Sequence, residues 1–133
     1  MAVKTEWLIL ADAAEIVAGK LYLMGGGWDA LTVPQFPVTK QTGLAASFSI
    51  PWDDTNHRHE VEIEMITQDG EQVAKMNVTL EAGRPAGIDI GSEQRVQVAA
   101  NLPLEFKTPG VFAIVSRIAG REDARVNFRV LGK

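Results

Sequence analysis

Between Arg58 and Thr67 the chain reads RHEVEIEMIT, with Val61, Ile63 and Met65 on one side and Glu60, Glu62 and Glu64 on the other. A period of two over this length fits a half-buried β-strand and no helix. Gln68-Asp69-Gly70 is a turn signal, and EQVAKMNVTLEA (71–82) follows as the second arm of a hairpin. Comparable segments recur at 5–11, 20–33, 42–50, 95–102, 110–118 and 124–131, separated by Gly-, Pro- and Asp-rich turns. Helical periodicity is almost absent, with single turns expected only at Asp12–Val17 and Trp52–Asn56. The pattern predicts an all-β chain: one antiparallel β-sandwich of about eight strands over residues 1–133, immunoglobulin-like or C2-like in form.

Length and composition agree with one soluble globular domain. The 133 residues are 46% hydrophobic and 23% charged, and no apolar run suggests a membrane-spanning helix. The N-terminal apolar run is too short for a signal sequence and acids follow it, so a cytoplasmic protein is expected. There is no cysteine, which rules out disulfides and thiolate metal sites. The formal charge of −4 gives no footprint for nucleic acid. Its distribution is uneven: residues 1–70 carry ten acids and four Lys/Arg, while residues 101–133 carry three and six. In one domain this implies that the early and late segments pack together, with the Glu60/Glu62/Glu64 stripe facing Arg125 and Arg129. Strand 110–118 is apolar on both faces and is expected to be central or covered on both sides.

Gly25-Gly26-Gly27 sits inside the segment KLYLMGGGWDALTV. No Lys-Ser/Thr and no helix pattern follows, so a phosphate-binding loop is disfavoured. A bend that carries one strand from sheet to sheet fits better, and it would turn Asp29 away from the apolar face. Gly26→Val is then expected to damage folding.

The residues available for binding lie where strands end. Trp28-Asp29 and Trp52-Asp53 each adjoin a breaker, and Arg84 lies in the loop GRPAGIDIGSE (83–93). Aromatics in such places serve as contact residues or as lids on the core. Trp7 is read as core. His57 and His59, with Asp54 as a third ligand, could hold a divalent metal if the strand sets both rings on one side. The same residues also suit a polar turn in which Asp53, Thr55 and Asn56 bond local backbone. No nucleophile motif or selected carboxylate pair is present.

The order LILADAAE, GKLYLMGGGWD, SIPWDDTNHRHEVEIEMITQDGE, GRPAG and VAANLPLEF resembles a group of small uncharacterised bacterial proteins, over about Trp7 to Val130. The resemblance implies a compact β-sandwich found in bacteria and in mobile or phage-derived regions, with no assigned activity and no catalytic residues to carry over. The expectation is therefore a non-enzymatic binding or assembly module, without cofactor, that associates with a protein partner or with itself. A calcium-binding or hydrolytic site at His57/His59 is one alternative. A carbohydrate-binding sandwich using Trp28 and Trp52 is the other.

Overall fold

The computed structural model describes residues 2–133. The strands are β1 (Lys4–Ala11), β2 (Ala13–Val17), β3 (Lys20–Met24), β4 (Ala30–Val33), β5 (Val38–Ile50), β6 (His59–Thr67), β7 (Gln72–Leu80), β8 (Gln94–Phe106), β9 (Gly110–Ile118) and β10 (Arg121–Gly132). One 3-10 turn, Trp52–Asp54, separates β5 from β6. The strands form a three-stranded sheet (β1-β5-β8), a five-stranded sheet (β4-β10-β9-β6-β7) and a two-stranded hairpin (β2-β3). The all-β expectation holds. The expected eight or so antiparallel strands become ten in three sheets, and β4 runs parallel to β10.

The two larger sheets face each other across one core. Leu8, Leu10, Leu44, Phe48 and Phe106 come from the smaller of the two, and Ile63, Met65, Phe112, Ile114 and Phe128 from the larger. Alternation fixes which side chains enter. Leu8 and Leu10 point inward, so Trp7 and Ile9 fall outside this core, and Trp7 is half-buried on the outer face. That corrects the core assignment of Trp7. β9 lies at the centre of the five-stranded sheet, and Ala113, Val115 and Ile66 form a second, smaller cluster on the outer side. The two-faced apolar pattern of this strand is thereby explained.

The outer face of the three-stranded sheet is partly covered as well. A Cβ on Gly43 of β5 would lie 2.8 Å from the Ala13 carbonyl carbon and 2.9 Å from Ala13 Cα, so β2 packs directly on β5 there. Opposite Gly43, the Asn101 amide holds β2 from both sides. Its Oδ1 accepts from Ala14 N–H (2.9 Å) and its Nδ2 donates to the Ala14 carbonyl (2.8 Å). The turn expected at Asp12–Val17 is therefore a strand.

The segment 20–33, read as one bent strand, is two strands in different sheets. The glycines form the crossing. Gly25 and Gly27 have φ of +61° and +84°, a region costly for side chains. Gly27 N–H donates to the Leu10 carbonyl (2.9 Å), and Asp12 N–H donates to the carbonyls of Met24 (3.0 Å) and Gly25 (3.1 Å). Gly26 differs: its φ is not positive, and a Cβ there would first meet Ala11 Cβ at 3.4 Å. The damage expected of a substitution at Gly26 moves to its two neighbours.

Candidate functional site

Of the residues singled out in the sequence, Trp52, Asp53, Asp54 and Arg84 come together and Trp28 and Asp29 do not. β6 runs from His59, paired with Leu80 of β7, to Thr67, paired with Phe112 of β9. The Trp52 turn adjoins the His59 end. Trp28 and Asp29 precede β4 at the other end, beside Phe128.

At the Trp52 end, a 3-10 turn and the 83–93 loop clasp each other. The Arg84 guanidinium carbon lies 3.9 Å from the centroid of the Trp52 ring. Arg84 Nε donates to Thr55 Oγ1 (2.7 Å) and Nη2 donates to the Trp52 carbonyl (2.8 Å). Thr55 Oγ1 donates to the same carbonyl (2.7 Å), and Asn56 N–H donates to the Ala82 carbonyl (2.7 Å). Asn56 has φ +63°, a conformation that Asn tolerates better than most residues. Gln94 Nε2 donates to the Gly83 carbonyl and Ser49 Oγ to Glu93 Oε2 (2.9 Å), fixing the far end of the loop. Arg84 thus binds this protein's own turn, and the face of Trp52 that it covers is occupied. Arg84→Lys keeps the charge and loses the planar fork. It is expected to lower stability by about 1–2 kcal/mol, read by urea denaturation. Wild-type stability in that variant would show the clasp to be idle.

The histidines do not form the expected pair. β6 begins at His59, while His57 is exposed in the preceding turn, so the two do not share a strand face. His59 Nε2 lies 2.7 Å from the Asp54 carbonyl, to which it donates. Among the described residues, no group of three His, Asp or Glu side chains converges as metal ligands. Asp53 is exposed at the rim of the turn.

Trp28 is half-buried and packs edge-on against Phe128 at 6.0 Å between centroids. Its indole N–H is buried without a partner among the described residues. The Asp29 side chain is exposed, and its carbonyl accepts from Arg129 N–H (2.9 Å), extending the β4–β10 ladder. Trp28 therefore lids the core, continuing an aromatic chain through Phe128 to Phe112 and Phe106.

The charged residues pair differently from expectation. β9 separates β6 from β10, so the glutamate stripe cannot face Arg125 and Arg129. Glu64 pairs with Arg117 of β9 (2.7 Å), Glu62 with Lys75 of β7 (3.3 Å), and Arg125 with Glu122 of its own strand (2.7 Å). On the other sheet, Arg95 grips Glu6 (2.7 Å), and Ser47 donates to the same carboxylate (2.6 Å). The Arg95 hydrogen bond, then that of Ser47, holds the Glu6 carboxyl below the usual carboxylate range. The grip of Asn101 on β2 and the Glu6–Arg95 pair escaped sequence reading. Thr55 bonds local backbone, the Trp52 carbonyl, as the polar-turn reading of PWDDT expects.

Taken together, these features define a small all-β protein whose strand-end turns are locked by their own polar and aromatic side chains. The chain belongs to the DUF6941 family, a family of unknown function, whose model matches residues 6–131. The sequence resemblance to proteins without an assigned activity is thereby borne out. No curated protein matches the sequence significantly. Among solved structures, the chain is similar to part of a β-glucosidase from Listeria innocua in complex with gluconolactone, at 11% identity and a TM-score of 0.53. That match covers 98% of this chain and 16% of the enzyme, so the chain spans about a sixth of its length. An immunoglobulin-like protein from Pseudomonas aeruginosa matches at 12% identity and a TM-score of 0.42, over 98% of this chain and 97% of that one. Likeness at such identity is one of fold alone. No helix among the described residues is long and apolar enough to cross a membrane.

Proposed function

We propose that this protein works by binding other proteins, as a non-enzymatic structural or assembly module of immunoglobulin-like sandwich form in the bacterial cytoplasm. The observation that carries this reading is the outer face of the β2–β3 hairpin. Val17, Tyr22 and Met24 are 45%, 54% and 71% exposed. Register sets Tyr22 opposite Glu15 and Met24 opposite Ala13, so all of these share the face turned away from the three-stranded sheet. The opposite face, with Ala14, is the one held by Asn101. Exposed aromatic and methionine side chains grouped on a firmly seated element are typical of protein contact surfaces. The residues with the most chemical potential, Arg84 and Glu6, are meanwhile engaged internally.

A photo-crosslinking amino acid placed at Tyr22, in cells that make the protein, tests this reading. A discrete protein adduct that disappears with Met24→Ser supports it. Absence of any adduct, or catalytic turnover by the pure protein, overturns it.

A further inference from the structure

The sheet edges differ in how they are protected against pairing with another strand. β4 is four residues long and is followed by Pro34. β1 carries a bulge between Thr5 and Trp7. β8 contains Pro103 and has β2 tied to it through Asn101. β3 runs only from Lys20 to Met24, between glycines with positive φ. Short edges, bulges, prolines and covering elements are the usual protections.

β7 lacks them over most of its length. Its register with β6 is irregular around Val73, and from Ala74 to Leu80 it is a regular edge without Gly or Pro. Ala74, Met76 and Val78 point toward the core yet stay half-buried, because nothing lies beyond them in the sheet.

We infer that β7 pairs antiparallel with β7 of a second copy, about a two-fold axis at Asn77. The strand is self-complementary in this register. On the core side Ala74 meets Leu80 and Met76 meets Val78, apolar on apolar. On the outer side Lys75 meets Thr79 and Asn77 meets its own counterpart. Lys75 is the one charge between Gln72 and Leu80, so no like charges oppose each other. Each Thr79 hydroxyl already donates to Glu60 of its own chain (3.0 and 3.1 Å), which brings Lys75 of the second copy next to that carboxylate. One unprotected long edge per copy closes as a pair, where two would propagate into a fibre. The pairing names a second copy as partner on a surface separate from the hairpin, and it stands independently of the hairpin's role.

Sedimentation velocity from micromolar to millimolar concentration, with hydrogen exchange on the same samples, tests the inference. The expected result is a monomer–dimer equilibrium in which amides 74–80 gain protection as the dimer forms. Asn77→Lys sets two lysines against each other across the axis, but in the monomer it lies opposite Glu62, so folding is retained. It should weaken the dimer several-fold, whereas Tyr22→Ser should leave it unchanged. A monomer throughout the range overturns the inference, as does a dimer in which amides 74–80 stay unprotected. If the Tyr22 adduct is absent while the β7 dimer forms, the hairpin reading fails and this one stands; the reverse pattern decides the other way.

Discussion

Phe128→Ala is expected to remove about 3–5 kcal/mol of stability, the largest effect of any single substitution considered for this protein. Phe128 is 2% exposed and lies where three other aromatic rings meet: Trp28 at 6.0 Å, Phe112 at 5.7 Å and Phe106 at 6.3 Å. Deleting its ring removes buried apolar area and leaves a cavity. The three rings around that cavity belong to three different segments, so collapse is difficult. Small domains are stable by only about 5–15 kcal/mol, so the loss is a large share of the total. Urea denaturation at unchanged slope measures it, and tryptophan fluorescence, to which Trp28 contributes beside Trp7 and Trp52, follows the same transition. A loss under about 1 kcal/mol would mean that the aromatic cluster repacks freely, contrary to the close packing expected of a protein interior.

Gly43→Ala is expected to cost about 1–3 kcal/mol through overpacking, although it adds a single methyl group. The added carbon would meet backbone atoms of β2 at 2.8–2.9 Å, and backbone cannot rotate away as a side chain can. Relief requires lifting β2 off the sheet, which also strains both hydrogen bonds between Asn101 and Ala14. Gly26→Ala is the control. Its new carbon finds its nearest neighbour at 3.4 Å and its backbone is unstrained, so the change should stay within about 1 kcal/mol. Thermal melts of the two variants, with hydrogen exchange at Ala14, separate the cases. Equal stability of both would remove the packing argument.

The sequence spoke most clearly where a local rule acted alone. The β6–β7 hairpin was legible from strict alternation and from Asp69-Gly70, where Gly70 takes φ +87°. The crossing at Gly25–Gly27 was legible because three glycines in a β-prone run have few other uses. β2 was not, since AAEIV has no strong strand preference and owes its conformation to Gly43 and Asn101, distant in sequence. Trp7 was misplaced by its size. Alternation from Leu8 and Leu10 already turned it outward, but a large indole argued for the core. The ion pairs of Glu64 and Arg125 depended on which strand separates β6 from β10, and no local pattern encodes strand order. At the candidate site the strand-end positions of Trp52 and Arg84 were visible. Their stacking was not, because they stand 32 positions apart with an entire hairpin between them.

The parallel pairing of β4 with β10 also bears on the order of events during synthesis. Ala30 through Val33 take their only ladder partners from Arg129 through Gly132, whereas β5 has one partner in the earlier β1, β6 one in the adjacent β7 and β9 one in the earlier β6. On a ribosome, residues 30–33 emerge long before those partners exist, so the sheet is assembled from its middle and β4 docks last. Until then Trp28, just ahead of β4, has no Phe128 to cover. Trp28 therefore waits through most of translation before Phe106, Phe112 and Phe128 exist, and its docking against Phe128 closes that end of the core last.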